Sequence, residues 1–291
     1  MSNASQTLVA YGPAHVAALA VIAAVAVVVV AKVWAPRRAA RGVCRALAAV
    51  LLVNVIFEQC YTAATGRWSL AESLPLHLCD LSVFAAIVAL VLATRRRAPQ
   101  SVGNVLSVQD DSRETTTGHD CPGGMGKYSC PCGQEPDSPR ASVLAHATQS
   151  GGCAWFDVVY YWGLAGATQA LLTPSVGQGF PGPLFFTYFT AHGSVVVAVL
   201  VLIFGLRLRP RRGSGVRVWL LTNVVAVPVL ACDRLVGANY MYLRGPAEAP
   251  SVLDYLGDWP WPFLLSLNLL VAVCIALCYA PWWWVDRRRR T

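Results

Sequence analysis

Long apolar runs separated by short polar or basic stretches dominate the chain. Seven of them, at about 14–34, 43–63, 75–94, 155–173, 183–206, 216–236 and 261–281, are long enough to cross a bilayer. A helix rising 1.5 Å per residue needs about 20 apolar residues to span a hydrocarbon core of roughly 30 Å. Each run is too long for an ordinary buried strand. The pattern therefore predicts an all-α fold: a polytopic transmembrane helix bundle with seven spans. No Lys or Arg precedes the first run, so it lacks the positive region of a signal peptide and is read as a retained helix.

The runs also set the domain organisation. Residues 1–97 carry spans 1–3 and residues 154–291 carry spans 4–7 with a basic tail, together one membrane domain. Between them, 98–153 is rich in Gly, Pro, Ser, Thr and Asp and cannot bury enough apolar area to fold alone, so a disordered polar cytoplasmic insert is expected there. It contains His119, Cys121, Cys130, Cys132, His146 and Cys153. Their spacing lacks the paired C-x2-C knuckles of zinc sites, and no metal is assigned.

Composition agrees with a membrane protein: 56% of residues are hydrophobic and 13% charged, against about 25% charged in soluble domains. The net charge of +8 comes largely from clusters after alternate spans: Arg37, Arg38 and Arg41; Arg95 to Arg97; Arg207, Arg209, Arg211 and Arg212; and Arg287 to Arg290. That alternation places the N-terminus outside and the C-terminus in the cytoplasm of a multi-pass cell-membrane protein. No basic domain exists to hold a nucleic acid. Trp68, Trp155, Trp259, Trp261 and Trp282 to Trp284 fall at span ends, where amphipathic rings favour the headgroup layer. Cys44, Cys60, Cys232, Cys274 and Cys278 read as small apolar packing residues, with no extracellular disulfide framework. No phosphate loop, dinucleotide fingerprint or internal repeat is present, and no cofactor is expected.

Polar side chains inside a bilayer are costly and call for a partner or a use. Glu58, Gln59 and Tyr61 close span 2, His77, Cys79 and Asp80 open span 3, Gln169 lies late in span 4, and Asp233 late in span 6. All fall in the outer half. His192 is expected roughly 13 Å deep and Cys79 roughly 6 Å, which a modest tilt would bring level. Pro75 suits the first turn of a helix and puts His77 and Cys79 near its N-terminus. Positions i and i+2 diverge by about 200° on a helix, so His192 is the better base for Cys79, while Asp80 shares a face with His77 and can orient its imidazole. A cysteine attacks as its thiolate, and a histidine partner activates it. The alternative is that Cys79 packs and both histidines only bond across helices.

The stretches LPLHLCDLS (74–82), DVVYYWGLAGATQALLTP (157–174), TAHG (190–193), GANYMYL (237–243) and LGDWPWP (256–262) resemble the YwaF-type bacterial integral membrane proteins. That family in turn resembles eukaryotic multipass acyltransferases that remodel ether phospholipids and, more distantly, multipass lipid-ester hydrolases with a Thr or Cys nucleophile and a His. The resemblance implies a nucleophile role for Cys79 and a histidine role for His192, with His77 in the catalytic set but unassigned. Asn239 and Tyr240 match as motif positions, and the long stretch after span 3 departs from the usual short loop.

The expected function is thus acyl transfer or hydrolysis on a membrane phospholipid, with Asp80, Gln59, Gln169, Asn239 and Tyr240 around the substrate. Two rivals remain at this level. One is a proton-coupled transporter or channel relaying protons through His77, Asp80, His192 and Asp233. The other is a non-enzymatic receptor or assembly protein in which the polar cluster joins helices.

Overall fold

The computed structural model describes residues 10–34, 37–95, 154–246 and 251–288. The expected insert and the final arginines, Arg289 and Arg290, lie outside these residues. Among the described residues the fold is all-helical. Helix α1 runs Pro13–Val33, α2 Arg37–Ala64 and α3 Leu78–Arg95. Helix α4 covers 154–172, passing through a π turn at Trp162–Ala167 into a last α turn at Thr168–Leu172. Helix α5 runs Pro183–Gly205, α6 Ser214–Val236 and α7 Trp261–Arg288. Six of these, all but α4, are long and apolar enough to cross a membrane. The chain is a multipass membrane protein.

Local chemistry explains several boundaries. Helices α1 and α5 each begin with Pro in the first turn, where its missing N–H costs nothing. Helix α6 stops at Gly237, whose φ of 75° is readily adopted only without a Cβ.

Lipid is as apolar as the side chains, so packing between spans relies on small residues and hydrogen bonds. The core lies among α2, α3, α4 and α5. Helix α3 contributes Ala85, Ala86, Ala89 and Ala93, and α2 a stripe of Ala40, Cys44, Ala48 and Leu51. Opposite them stand Phe156 and Val159 of α4 and Val195, Ala198 and Val199 of α5. At Gly193 a Cβ would meet Ile22 at 2.9 Å, so glycine sets the approach of α5 to α1. Helices α6 and α7 are joined through Trp219, Asn268 and Asn223, which bond in sequence across the interface. Cys44 is buried as expected of a packing residue, whereas Cys60 is exposed on α2.

Polar contacts define two ends of the bundle. At the arginine-rich end, the backbone and side chain of Arg211, between α5 and α6, bond Asp157 of α4, and Arg209 reaches Asp286 of α7. At the other end, His15 near the start of α1 bonds the carbonyl of Leu171 at the end of α4. Here too the segment after α6 packs on the segment before α3.

Candidate functional site

The site is assembled where α3 begins. The amide of Leu81 bonds the His77 carbonyl, and Asp80 Oδ2 accepts the His77 backbone N–H at 3.2 Å. His77 is thus the N-cap of α3, with Asp80 closing back on it as in a capping box. This corrects the expected geometry. His77 stands outside the helix, so helical spacing does not govern its direction, and Asp80 meets its backbone rather than its ring. The other Asp80 oxygen lies 3.9 Å from Cys79 Sγ.

The His77 ring is positioned by the connection from α6 to α7. Asp233, fully buried, accepts the Tyr240 N–H at 2.9 Å. Tyr240 accepts the Leu74 N–H and donates to the Leu70 carbonyl, pinning the 70–76 segment. Met241 and Tyr242 follow with φ of 53° and 56°, two consecutive left-handed residues that are not glycine. Each such residue costs roughly 1–2 kcal/mol, and strain of this kind gathers at functional sites. The strained turn aims the Met241 N–H at His77 Nδ1, at 3.3 Å. The rings of Tyr240 and Tyr242 flank His77 at 5.1 and 5.4 Å between centroids. Burial pushes the His77 imidazole down to about 4, so it is neutral at physiological pH.

His192 enters from α5 and is 7% exposed. Its Nδ1 lies 2.7 Å from the Tyr188 carbonyl one turn earlier. A carbonyl only accepts, so Nδ1 carries the proton and Nε2 the lone pair. That Nε2 is buried without a partner among the described residues. The Tyr188 ring packs on the imidazole at 4.2 Å, and its hydroxyl donates to the Ala170 carbonyl.

Cys79 lies within electrostatic reach of Tyr188, Tyr242 and Glu58, and His192 within reach of His77. His77, Cys79 and Asp80 thus stand together where α3 begins, with the Tyr242 ring beside His77, while His192 stacks on Tyr188 within α5. Tyr188 precedes His192 by one helical turn, a spacing that marks it in the sequence; nothing local marks Tyr242.

Other residues singled out from sequence have different employment. Gln59 bonds the Ser73 carbonyl and the Trp68 indole, tying the α2–α3 connection. Gln169 is exposed and bonds Thr173. Asn239 organises its own turn by bonding Arg244 and Gly245. The Tyr240 hydroxyl is fully engaged as described. Among the described residues no His, Cys, Asp and Glu group has the form of a metal site. A shallow apolar groove open to the surface lies between α3 and α6, lined by residues including Leu76, Leu81, Val225 and Pro228. Leu76 precedes His77, and Leu81 lies one turn below it.

These features define a class: a multipass helical membrane protein with a half-buried thiol and two histidines at one end of the bundle. The chain belongs to the TMEM164 family, whose model matches residues 10–109 and 139–279. The match breaks inside the polar stretch that interrupts the spans. No curated protein and no solved structure matches.

Proposed function

We propose that this protein transfers or hydrolyses an acyl group of a membrane phospholipid, with Cys79 as nucleophile and His192 as general base. The observation that carries the reading is the state of His192: one nitrogen is fixed as a donor to the Tyr188 carbonyl, and the other is buried without a partner among the described residues. A buried polar atom without a partner costs about 1–3 kcal/mol, and a functional partner would explain its presence.

In this reaction the thiol proton passes to His192 Nε2 as Sγ attacks the ester carbonyl. The tetrahedral intermediate collapses to an acyl-Cys79 thioester, and the departing lysolipid alkoxide takes the proton back. A lysolipid hydroxyl or water then releases the acyl group, again through His192. The protein crosses the cell membrane seven times in this reading, with α4 as a span and the N-terminus outside. Cys79 then works in the outer half, and the 98–153 insert hangs in the cytoplasm, dispensable for chemistry.

Lipid profiling of cells carrying wild type, Cys79→Ala, His192→Ala or both tests the proposal. Either single variant should abolish the change in phospholipid acyl composition that wild type produces, and the double variant should add little, as residues acting as a unit do. A wild-type lipid change retained by Cys79→Ala would refute the mechanism.

A further inference from the structure

The two histidines present opposite faces of the same neutral ring. The Met241 N–H can only donate, so His77 Nδ1 accepts and its proton sits on Nε2. The Tyr188 carbonyl can only accept, so His192 has the reverse tautomer. His192 Nε2 is buried without a partner among the described residues, and the hydrogen bond made by the His77 ring is at Nδ1, from Met241. The Met241 bond thus turns the His77 N–H away from the strained loop, and the Tyr188 bond leaves a buried nitrogen on His192. The first is held by two left-handed residues that have no other evident purpose.

The geometry points to His77 as the oxyanion donor of the reaction: its Nε2–H binds the acyl carbonyl oxygen and stabilises the negative charge formed when Cys79 attacks. This assignment rests on the acyl-transfer reading. His77 keeps its proton throughout, since the thiol proton is taken by His192 and returned to the leaving alkoxide. A neutral imidazole suits the task, because it donates without competing for the proton that His192 must move. Desolvation of the half-buried ring keeps it neutral, and a preorganised donor in a low-dielectric site is worth more than one in water. Asn239 and Tyr240 do not compete for this role, since their side chains are already committed to the loop that holds His77.

The test compares His77→Asn, His77→Gln and His77→Ala with His192→Ala, using purified protein in phospholipid micelles. Ester turnover is read beside the alkylation rate of the Cys79 peptide by iodoacetamide. Asn retains an acceptor for the Met241 N–H but lacks the distal donor, whereas Gln places an N–H near Nε2. His77→Asn and His77→Ala should lose about 10²–10³-fold in kcat, as loss of one oxyanion donor does. Their Cys79 alkylation should stay near the wild-type rate. His77→Gln should recover at least part of the turnover, and His192→Ala should slow both readouts.

His77→Asn as active as His77→Gln would overturn the assignment. So would slowed alkylation in both, because His77 would then be acting on the thiol. Wild-type protein that turns over no ester would sink the acyl-transfer reading itself, and the assignment with it.

Discussion

At the arginine-rich end of the bundle, Asp157 is 2% exposed and both its oxygens are used, one by the backbone of Arg211 and one by its guanidinium at 2.6 Å. Around it Tyr161 pairs with Ser214, Tyr160 donates to the Cys278 carbonyl and accepts from Trp282, and Trp162 donates to Thr222. Each of these groups has a protein partner. At the opposite end His15 is equally saturated, with one nitrogen accepting from Tyr11 and the other donating to Leu171. A few residues away, His192 and Asp233 are each satisfied on one atom and bury the other without a partner among the described residues, and the Asn54 amide nitrogen on α2 is buried in the same way. Saturated polar groups hold helices together, while half-satisfied ones in a crowded interior keep capacity for a substrate.

Breaking the saturated end should cost most in stability. Asp157→Ala strands Arg211 and should destabilise by about 3 kcal/mol, the low end for a buried pair, since Arg211 is 39% exposed. Thermal unfolding in detergent should show the loss, with Cys79 alkylation unchanged in the folded fraction. A shift no larger than that of a surface substitution would place the structural anchor elsewhere.

The histidines sharpen the contrast. His15→Phe removes two satisfied bonds and should cost about 2 kcal/mol. His192→Phe removes one bond but also an orphaned nitrogen, and should cost less than about 1 kcal/mol while abolishing turnover. The reverse order of stability losses would contradict the division between the two kinds of site.

Tyr240→Phe should have a small effect on both stability and turnover. It leaves the Leu74 N–H and Leu70 carbonyl without their partner and should cost about 1 kcal/mol. Turnover should fall modestly as the loop loosens over His77. A collapse equal to that of Cys79→Ala would make the hydroxyl a participant in the chemistry.

The spans were legible because a bilayer demands long apolar runs, and the runs at 14–34 and 216–236 fall within two residues of α1 and α6 at each end. Helix α2 starts earlier than its run, at Arg37, because arginine is a good helix former and the apolar run marks only the stretch that must cross lipid. Helix α7 continues past Pro281 to Arg288. His77, Cys79 and Asp80 were legible as one polar group opening the third run, and the structure keeps them together at the start of α3. The orientation of His77 was not, since it is set by the Met241 amide 164 residues away. Two left-handed, non-glycine residues make that contact, and neither periodicity nor turn propensity announces them. Tyr240 and Asn239 were visible as motif positions, but their work in fixing the loop depends on partners that come together only in the fold.

The central claim is that Cys79 carries the acyl group. Wild-type protein incubated with an ester phospholipid and quenched in acid should yield a Cys79 peptide heavier by one acyl chain and released by neutral hydroxylamine, as a thioester requires. Turnover of the phospholipid with no acyl adduct on Cys79, or with the adduct on another residue such as the exposed Cys60, would contradict the account.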